Sequence, residues 1–339
     1  MERAIARGPI PGAAATIGTS ANERTACFGQ LEPNGQVATP DTWYDLASLT
    51  KVLVTVPLCL EAIGAGRLDP RAPLRELLPE SAWLQPESPN LGDVSVLELA
   101  THTSGVAAWE PLYTYGLDRS TTFARLLHTR LARPPGTIVY SDLGFLILGH
   151  LLERLEGAPL DTLAARLFAR IGLDDALAFN PRSNTLVAPT ERCPWRQRLL
   201  RGEVHDENAA ALGGVAGHAG LFGTLRGVAG FARALLNGQL HPPGVLGYLS
   251  REHARSLPPE GDGERRGFGW LLMHPGWSGG DLMSQRSIGH TGFTGSGVWI
   301  DLERDRYSVL LCNRVHPSRH VDSGITKLRR AFNHAAYAT

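Results

Sequence analysis

Lysine is nearly absent from this sequence of 339 residues. Lys and Arg together number 33, but only Lys51 and Lys327 are lysines. Arginine can make almost every contact that a surface cation makes, yet it does not give up its proton, whereas a buried lysine can. A lysine that persists in such an arginine-rich chain is therefore a candidate for proton transfer.

The sequence also lacks an excess of charge of either sign. The 33 basic residues are balanced by 33 acidic residues, so no overall field attracts nucleic acid or an anionic membrane, although a local patch could still exist. We expect a small-molecule substrate and neither nucleic acid nor a membrane as partner. The oligomeric state is not indicated by the sequence.

Long hydrophobic runs are missing as well. The longest apolar stretch, residues 52–60, is interrupted by Thr55 and Pro57 and is far too short to span a bilayer. Residues 1–7 contain no apolar segment of the length that a signal peptide needs. We therefore expect a soluble, cytoplasmic protein, although an exported form whose signal peptide had been removed would look the same.

Cysteines are few and scattered. The four, at positions 27, 59, 193 and 312, do not show the Cys-x-x-Cys spacing of zinc or redox sites. We expect them to be reduced and mostly buried. His205 and His218 also lack a recognised ligand spacing, so the sequence predicts neither a metal nor another cofactor.

Four β-type runs predict an antiparallel sheet. Residues 11–18 and 25–29 flank a polar turn, and residues 298–300 and 307–312 flank another one near the other end of the chain. Each pair is typical of a β-hairpin. We therefore expect both ends of the chain to contribute strands.

Helical periodicity dominates elsewhere. Residues 49–63 repeat apolar side chains at helical spacing and predict a buried helix, which Pro57 should kink or locally open. Residues 70–178 have the same periodicity and few strand-like stretches. A final amphipathic helix is predicted to place four residues on one face: Ile325, Leu328, Phe332 and Ala335.

This arrangement predicts an α+β fold, with an antiparallel sheet flanked by helices and an all-α inserted domain. We assign residues 1–66 and 179–339 to the domain that contains the sheet. Residues 67–178 form the mainly helical inserted domain. The active site is expected in the cleft between the two.

The residues Ser48-Leu-Thr-Lys51 open the first long predicted helix. Positions i and i+3 share one helical face, so the hydroxyl and the amine can touch, and the helix N-terminus suits a developing oxyanion. Serine becomes a good nucleophile when a base removes its proton, and lysine can be that base when its pKa is depressed. The alternative is an N-cap serine with an unrelated lysine nearby.

Two other short motifs carry polar groups. Tyr140-Ser-Asp142 precedes a predicted helix, where the tyrosine could shuttle a proton; a loop tyrosine followed by a capping aspartate is the alternative. His290-Thr-Gly292 lies just before residues 298–300. Its Thr-Gly pair would let substrate approach the backbone closely, and His290 would supply a donor or a titratable cation. A simple turn is the alternative for this triplet.

The order and spacing of these three motifs resembles the penicillin-recognising serine acyl-enzymes: class C β-lactamases, D-alanyl-D-alanine peptidases and β-lactamase-fold esterases. That family has Ser-x-x-Lys on the first helix, Tyr-x-Asn on a loop and Lys-Thr-Gly or His-Thr-Gly at a sheet edge. Three further stretches resemble its class C-like branch: Gly66-Arg-Leu-Asp-Pro70, Glu98-Leu-Ala-Thr-His-Thr-Ser-Gly105 and Gly269-Trp-Leu-Leu272. His102, inside the second stretch, is expected to be a structural hydrogen-bonding residue.

The resemblance covers nearly the whole chain and implies a β-lactamase/transpeptidase-like fold. It implies that Ser48 is the nucleophile, Lys51 its base and Tyr140 the proton-transfer tyrosine. The oxyanion hole would consist of the N–H groups of Ser48 and Phe293. The implied substrate-binding residues are Asp142, His290, Thr291, Gly292 and Phe293.

Two positions depart from the family pattern. Asp142 stands where asparagine is usual, and its negative charge would favour the protonated form of Lys51. His290 stands where true β-lactamases commonly have lysine, which weakens the case for a fixed positive charge that binds a substrate carboxylate. Both departures indicate poor hydrolysis of β-lactam antibiotics.

A narrower resemblance points to a bacterial subgroup associated with peptidoglycan fragments, including amidases that cut N-acetylmuramic acid from the stem peptide. The stretches that carry it are Arg201-Gly-Glu-Val-His-Asp-Glu-Asn208, Gly213-Gly-Val-Ala-Gly-His-Ala-Gly-Leu-Phe222 and Asn313-Arg-Val-His-Pro317. Four side chains in the first two could line a polar cleft for a sugar or peptide: His205, Asp206, Asn208 and His218. The alternative is a glycine-rich structural loop in which His205 and Asp206 bond to each other.

The predicted function is therefore that of a serine hydrolase that forms an acyl-enzyme on amide bonds of peptidoglycan fragments, as a muropeptide amidase or D-Ala peptidase does. A carboxylic esterase or weak β-lactamase with the same machinery is the close alternative. A catalytically silent ligand-binding protein is a third one, against which the intact set of Ser48, Lys51 and Tyr140 argues.

Overall fold

The computed structural model describes residues 5, 8–83, 87–181, 185–241, 243–256 and 263–338. Most of residues 1–7, for which the sequence predicts no signal peptide, thus lie outside the described residues. The strands are β1 Gly12–Gly18, β2 Glu23–Gly29, β3 Tyr44–Asp45, β4 Leu177–Phe179, β5 Arg192–Cys193, β6 Arg198–Leu199, β7 Leu221–Gly223, β8 Ala254–Arg255, β9 Arg265–Arg266, β10 Leu271–Leu272, β11 Ser287–Thr291, β12 Gly297–Asp301 and β13 Arg306–Cys312.

The α-helices are α1 Val56–Gly64, α2 Leu74–Leu77, α3 Val96–Ala100, α4 Arg119–Leu127, α5 Asp142–Glu156, α6 Leu160–Arg170, α7 Glu207–Ala211, α8 Leu225–Leu236, α9 Pro243–Ser250 and α10 Ile325–Tyr337. In the part of the chain that the structure describes, 3₁₀ turns lie among them at Pro79–Ala82, Leu91–Asp93 and Leu112–Tyr115. None of the helices in the described ranges is long and apolar enough to cross a membrane.

An eight-stranded antiparallel sheet has the order β2-β1-β13-β12-β11-β10-β9-β8. Both predicted hairpins are confirmed, because β1 pairs with β2 and β12 pairs with β13. β1 also pairs with β13, so strands from the two ends of the chain lie side by side. The predicted α+β class is confirmed.

The helices α1 to α6 follow one another between β3 and β4 without an intervening strand in the described residues. One buried hydrophobic cluster joins them to the sheet and includes Leu53, Phe145, Leu148 and Val309. Burial of such apolar surface is the main force that holds helices against a sheet. Because this cluster contains residues of both predicted domains, the boundaries at 66/67 and 178/179 stay a prediction.

The helix that follows Ser48 opens locally, as predicted. Residues Lys51–Thr55 are π-helical, with the N–H of Val56 donating to the carbonyl of Lys51, and an α-helix continues from Val56 to Gly64. Pro57 has no N–H to donate, and the wider turn lies directly before it. Single π-helical turns are frequent at functional sites.

Of the four residues predicted on one face of the C-terminal helix, Ile325, Leu328 and Phe332 pack against a buried hydrophobic cluster, whereas Ala335 is exposed. The buried residues of α10 are Arg329, Asn333, Ala336 and Tyr337. The guanidinium of Arg329 donates to the carbonyls of Gly292 and Ser296, both at 2.8 Å. The helix thus bonds to the main chain beside β11 through polar groups, which a search for apolar periodicity does not find.

The four cysteines are free thiols, as predicted. Cys59, Cys193 and Cys312 are buried and Cys27 is half-buried. Burial raises the pKa of Cys59 to about 12 and that of Cys312 to about 11. Neither thiol is therefore a nucleophile at neutral pH.

Close packing of α5 on the loop 213–220 makes Gly217 sensitive to substitution. A Cβ atom at Gly217 would lie 2.2 Å from the carbonyl oxygen of Phe145 and 2.9 Å from the Cα atom of Gly149. Since main-chain atoms cannot easily move aside, we expect Gly217→Ala to lower the free energy of unfolding by about 1–3 kcal/mol, measured by urea denaturation.

Gly247→Ala is the matched control. Gly247 lies within α9 and has open space where a Cβ atom would stand. Alanine there should leave the free energy of unfolding unchanged or raise it by about 0.4–1 kcal/mol. Equal stabilities of the two variants would contradict the tight packing at Gly217.

Candidate active site

The turn before the first helix holds Ser48. Ala47 has a φ of 47°, which is uncommon for a residue with a side chain. The Asp45 carboxylate accepts the N–H of Ala47 at 2.8 Å and the N–H of His205 at 2.6 Å, and the Thr50 hydroxyl donates to the carbonyl of Ala47 at 2.7 Å. These bonds hold the strained turn and fix the half-buried Ser48 beside the cavity described below.

Lys51 is fully buried, and its amine has three oxygen partners. Nζ donates to Ser48 Oγ at 2.9 Å, to Asp142 Oδ1 at 2.7 Å and to the carbonyl of His218 at 3.1 Å. An ammonium group has three donors, so these bonds use all of them. The predicted contact between the hydroxyl of Ser48 and the amine of Lys51 is present.

The pKa of Lys51 is shifted by opposing effects. Burial lowers it, but the Asp142 carboxylate and then Tyr140 raise it by more, so the pKa lies above the ordinary value. Lys51 is therefore a cation at neutral pH, as the replacement of asparagine by Asp142 predicts. A general base has to be neutral, so this ion pair opposes catalysis at low pH.

Tyr140 packs beside Lys51, whose Nζ lies 5.0 Å from the centroid of the phenol ring. Burial raises the pKa of Tyr140 and the Lys51 cation lowers it, with a net rise, so the phenol keeps its proton at neutral pH. The ring of His102 lies 4.5 Å from that of Tyr140, and its Nδ1 accepts the N–H of Ser141 at 3.0 Å. His102 has the structural role that we expected.

Strand β11 leads from the sheet to the nucleophile. β10 pairs only with Ile288 and Gly289 of β11, so His290 and Thr291 extend beyond it, while β12 covers their other side. An extended substrate can add its main chain to a strand edge that is left open in this way. The predicted motif, residues 290–292, is therefore not on an edge strand of the sheet, because β11 lies between β12 and β10. It lies at the end of β11, where β10 no longer pairs with the strand.

Gly292 brings this strand end against the turn that holds the nucleophile. A Cβ atom at Gly292 would lie 2.4 Å from the carbonyl oxygen of Leu46 and 2.2 Å from Ser296 Oγ. The hydroxyl of Ser296 donates to the same carbonyl of Leu46 at 3.0 Å. Only glycine fits here. Because Gly292 has no side chain, the main chain can pass close to the turn of the nucleophile, and Phe293 lines the same cavity as Ser48.

Ser48 and Phe293 both line the cavity. Within the described residues, neither of their N–H groups donates to a protein acceptor. Main-chain N–H groups are the usual donors to an oxyanion. Both are therefore available to a substrate oxygen.

Of the two alternatives for His290, a donor or a titratable cation, the structure argues against the cation. Its side chain is buried, does not line the cavity, and has Nδ1 3.1 Å from the carbonyl of Thr291. Burial, and then the cations of Lys51 and Arg266, hold the pKa of His290 well below its usual range. The imidazole is therefore neutral at neutral pH.

The cavity in front of Ser48 has a volume of about 570 Å³, within the range of small-molecule sites. The predicted residues in its lining are Ser48, Tyr140, Asp142, His205, Asp206, Thr291, Gly292 and Phe293. Its arginines are Arg314, Arg319 and Arg329. In the part of the chain that is described, no group of three or more His, Cys, Asp or Glu side chains could hold a metal ion.

His205 and Asp206 do not bond to each other, so that alternative is wrong. His205 Nε2 lies 3.0 Å from Glu191 Oε2, and Asp206 Oδ1 lies 2.9 Å from His218 Nε2. Burial raises the pKa of Asp206, but His218 lowers it by more, so the net pKa falls below its usual range. Asp206 is a carboxylate at neutral pH.

Asn208 and His218 do not line the cavity, contrary to the prediction. Both are buried: Nε2 of His218 faces Asp206, and the side-chain amide of Asn208 bonds to the main chain. The side-chain oxygen of Asn208 accepts the N–H of Tyr113 at 3.1 Å and its amide donates to the carbonyl of Glu110 at 2.8 Å. The two residues position other parts of the site instead of facing substrate.

Several residues at the site are absent from the prediction, among them Asp45, Trp109 and Arg314. Arg314 lies in the quoted stretch at 313–317, so its charge could have been noticed. Its guanidinium carbon lies 4.2 Å from the centroid of the Phe293 ring, and its Nε donates to the carbonyl of Phe293 at 2.6 Å. Asp45 and Trp109 have no local sequence signal, because only the fold brings them to Ser48.

Known proteins share this fold and parts of this sequence. Residues 1–331 match the Beta-lactamase family. Over 82% of this chain, the sequence is 29% identical to a putative D-alanyl-D-alanine carboxypeptidase of Escherichia coli (strain K12), of which it covers 70%.

Two solved structures show the same fold. EstCE1, a hydrolase with promiscuous acyltransferase activity, has a TM-score of 0.76 and 18% identity, with 96% of this chain and 95% of that chain covered. The class C beta lactamase from Rhodobacter sphaeroides has a TM-score of 0.75 and 18% identity, with 99% and 97% covered. At these identities the structures establish the fold alone, and the predicted β-lactamase/transpeptidase-like fold is confirmed.

The family match, in contrast, spans almost the whole sequence. It includes the three motifs that begin at Ser48, Tyr140 and His290. Residues of all three motifs line one cavity. The chain therefore belongs to the β-lactamase family, and it is a serine hydrolase.

Proposed function

We propose that this hydrolase cleaves amide bonds of peptidoglycan fragments through an acyl-enzyme on Ser48, as a muropeptide amidase or D-Ala peptidase does. The observation that carries the proposal is the 2.9 Å contact between Ser48 Oγ and Lys51 Nζ beside the cavity. The relative from Escherichia coli is named a putative D-alanyl-D-alanine carboxypeptidase, which supports a cell-wall peptide as substrate.

Acylation requires the small fraction of Lys51 that has lost a proton. Neutral Nζ takes the proton of Ser48 while Oγ attacks the carbonyl carbon, and the N–H groups of Ser48 and Phe293 stabilise the oxyanion. Tyr140 then protonates the leaving amine and regains a proton from Lys51. The C–N bond breaks, an ester on Ser48 remains, and Lys51 is neutral again.

Deacylation uses the same groups in reverse order. Water attacks the ester carbonyl and gives a proton to Lys51. Ser48 Oγ then takes this proton as the acid product leaves. The cycle balances with the protein's own residues and water.

Arginines supply the positive charge that His290 lacks. Arg319 is bound by Glu191 and Glu207, whereas Arg314 lines the cavity and has no carboxylate partner among the described residues. Guanidinium groups bind carboxylates through two parallel hydrogen bonds. We infer that Arg314 binds the terminal carboxylate of the substrate peptide.

A carboxylic esterase is the second candidate. The neutral His290 offers no fixed charge next to Thr291, which suits an uncharged ester, and EstCE1 has the same fold. The steps above cleave an ester equally well, with an alcohol as leaving group. A weak β-lactamase stays a prediction on the same grounds.

Two further assignments are also proposals: the position of the cavity between two parts of the fold, and the location of the protein in the cell. We propose that the cavity lies between the helical part, residues 67–178, and the part that contains the sheet. Tyr140 and Asp142 from the first part and Ser48 and Thr291 from the second line it together. The cytoplasmic location is proposed from the sequence alone.

We expect Ser48→Ala to lower hydrolysis of every substrate by at least about 1,000-fold, because it removes the nucleophile, while circular dichroism stays unchanged. Intact-mass spectrometry should show one adduct of a fluorophosphonate probe on the wild type and none on the variant. Ser120→Ala, at an exposed serine on α4, is the control. Near-normal activity of pure Ser48→Ala protein would remove the acyl-enzyme on this residue.

The pH dependence should follow the ion pair between Lys51 and Asp142. Asp142→Asn removes the negative charge that raises the pKa of Lys51, so the amine becomes neutral at a lower pH. The acid limb of kcat/KM should therefore move to lower pH, and each unit of this move raises activity below the pKa about tenfold.

The measurement is a kcat/KM profile of both proteins with an uncharged ester. Asp281→Asn, at a surface carboxylate outside the cavity, should keep the wild-type profile. An acid limb that stays in place in Asp142→Asn would show that deprotonation of Lys51 does not limit attack.

Arg314→Gln tests the carboxylate site. We expect kcat/KM for an acyl-D-Ala-D-Ala peptide to fall about tenfold or more, because a hydrogen bond to a charged group is lost. The same peptide with a C-terminal amide should lose much less. Equal losses on the two peptides would show that Arg314 does not bind the carboxylate.

A further inference from the structure

A row of aromatic side chains leads away from the cavity. Trp109 lines the cavity and is 47% exposed. Its ring centroid lies 6.5 Å from that of Tyr113, which lies 4.7 Å from that of Trp195. Trp195 is also 47% exposed. We call Trp109, Tyr113 and Trp195 the aromatic row. Aromatic side chains that lie side by side and are partly exposed are typical of binding surfaces.

Hydrogen bonds hold both loops of the aromatic row to the segment 203–208 beside the cavity. Asn208 bonds to the main chain of Tyr113 and Glu110, as described above. Arg196, next to Trp195, donates to the carbonyls of Val204 and His205, both at 2.7 Å. The row is therefore preformed, which reduces the entropy that a ligand loses on binding.

The chemistry around the row favours one kind of ligand. Among the described residues that line the cavity, Ile325 is the only aliphatic one apart from two alanines, and the lining also contains His205, Asp206 and Glu207. A fatty acyl chain would find little aliphatic surface there. A pyranose ring has an apolar C–H face that stacks on indole and phenol rings, and its hydroxyl edge suits the surrounding charged and amide groups.

We propose that the aromatic row is a carbohydrate subsite, which binds a pyranose ring that is still attached to the substrate peptide. This inference rests on the proposed function, since it assigns the sugar of a peptidoglycan fragment to the row. The hydrolase thus prefers glycan-linked peptides over free ones.

The kinetic test compares a stem peptide with the same peptide linked to its disaccharide. In Trp195→Ala the ratio of kcat/KM values, linked over free, should fall about 3- to 10-fold, and Trp195→Phe should restore most of it. Trp83→Ala is the matched control, because Trp83 is 71% exposed but lies outside the cavity and the row. An unchanged ratio in Trp195→Ala would overturn the carbohydrate subsite.

The binding test uses Ser48→Ala protein and the probe N,N′-diacetylchitobiose. We expect saturable quenching of tryptophan fluorescence that Trp195→Ala weakens and Trp83→Ala leaves intact. Quenching that persists in Trp195→Ala, or binding of octanoate or free peptide instead of the sugar, would overturn the inference. This titration needs no turnover, so it decides about the carbohydrate even if peptide hydrolysis, and with it the proposed function, fails.

Discussion

The site depends on the burial of one ammonium group. Lys51 has no exposed surface, and a buried charge is tolerated only when oxygen atoms surround it, since losing a partner costs about 3–5 kcal/mol. Its three acceptors belong to Ser48, Asp142 and His218, which lie in three separate parts of the chain. The turn before the π-helical segment, the start of α5 and the loop 213–220 therefore have to meet at this one nitrogen, and their meeting places the hydroxyl beside the amine.

The same ion pair sets a conflict between stability and catalysis. Asp142 compensates the charge of Lys51 in the interior, and by doing so it raises the pKa that has to fall before Lys51 can act as a base. An asparagine would relieve catalysis at neutral pH and leave the buried cation with a weaker partner. Tyr140, whose phenol keeps its proton, suits this situation because it can pass protons between the leaving group and an amine that is mostly charged.

Local features of the fold could be predicted from the sequence, and features that depend on distant partners could not. The hairpins and the helix after Ser48 follow from periodicity and turn residues within a few positions, and the Ser48–Lys51 contact follows from helical spacing. The pKa of His290 depends instead on burial and on Lys51 and Arg266, which lie on other elements. The polar contacts of α10 could not be predicted for a similar reason, because Arg329 bonds to carbonyls near β11.

One short segment, residues 203–208, links catalysis to substrate recognition. The N–H of His205 bonds to Asp45, which holds the turn of the nucleophile. The next residue, Asp206, bonds to the ring of His218, and the carbonyl of His218 accepts a hydrogen bond from the base, Lys51. Asn208 holds the loop of the aromatic row. One run of six residues therefore bonds to the turn of the nucleophile, to the residue whose carbonyl accepts from Lys51 and to the loop of the aromatic row. A single short segment thus supports the attacking group, its base and the preformed row at the same time.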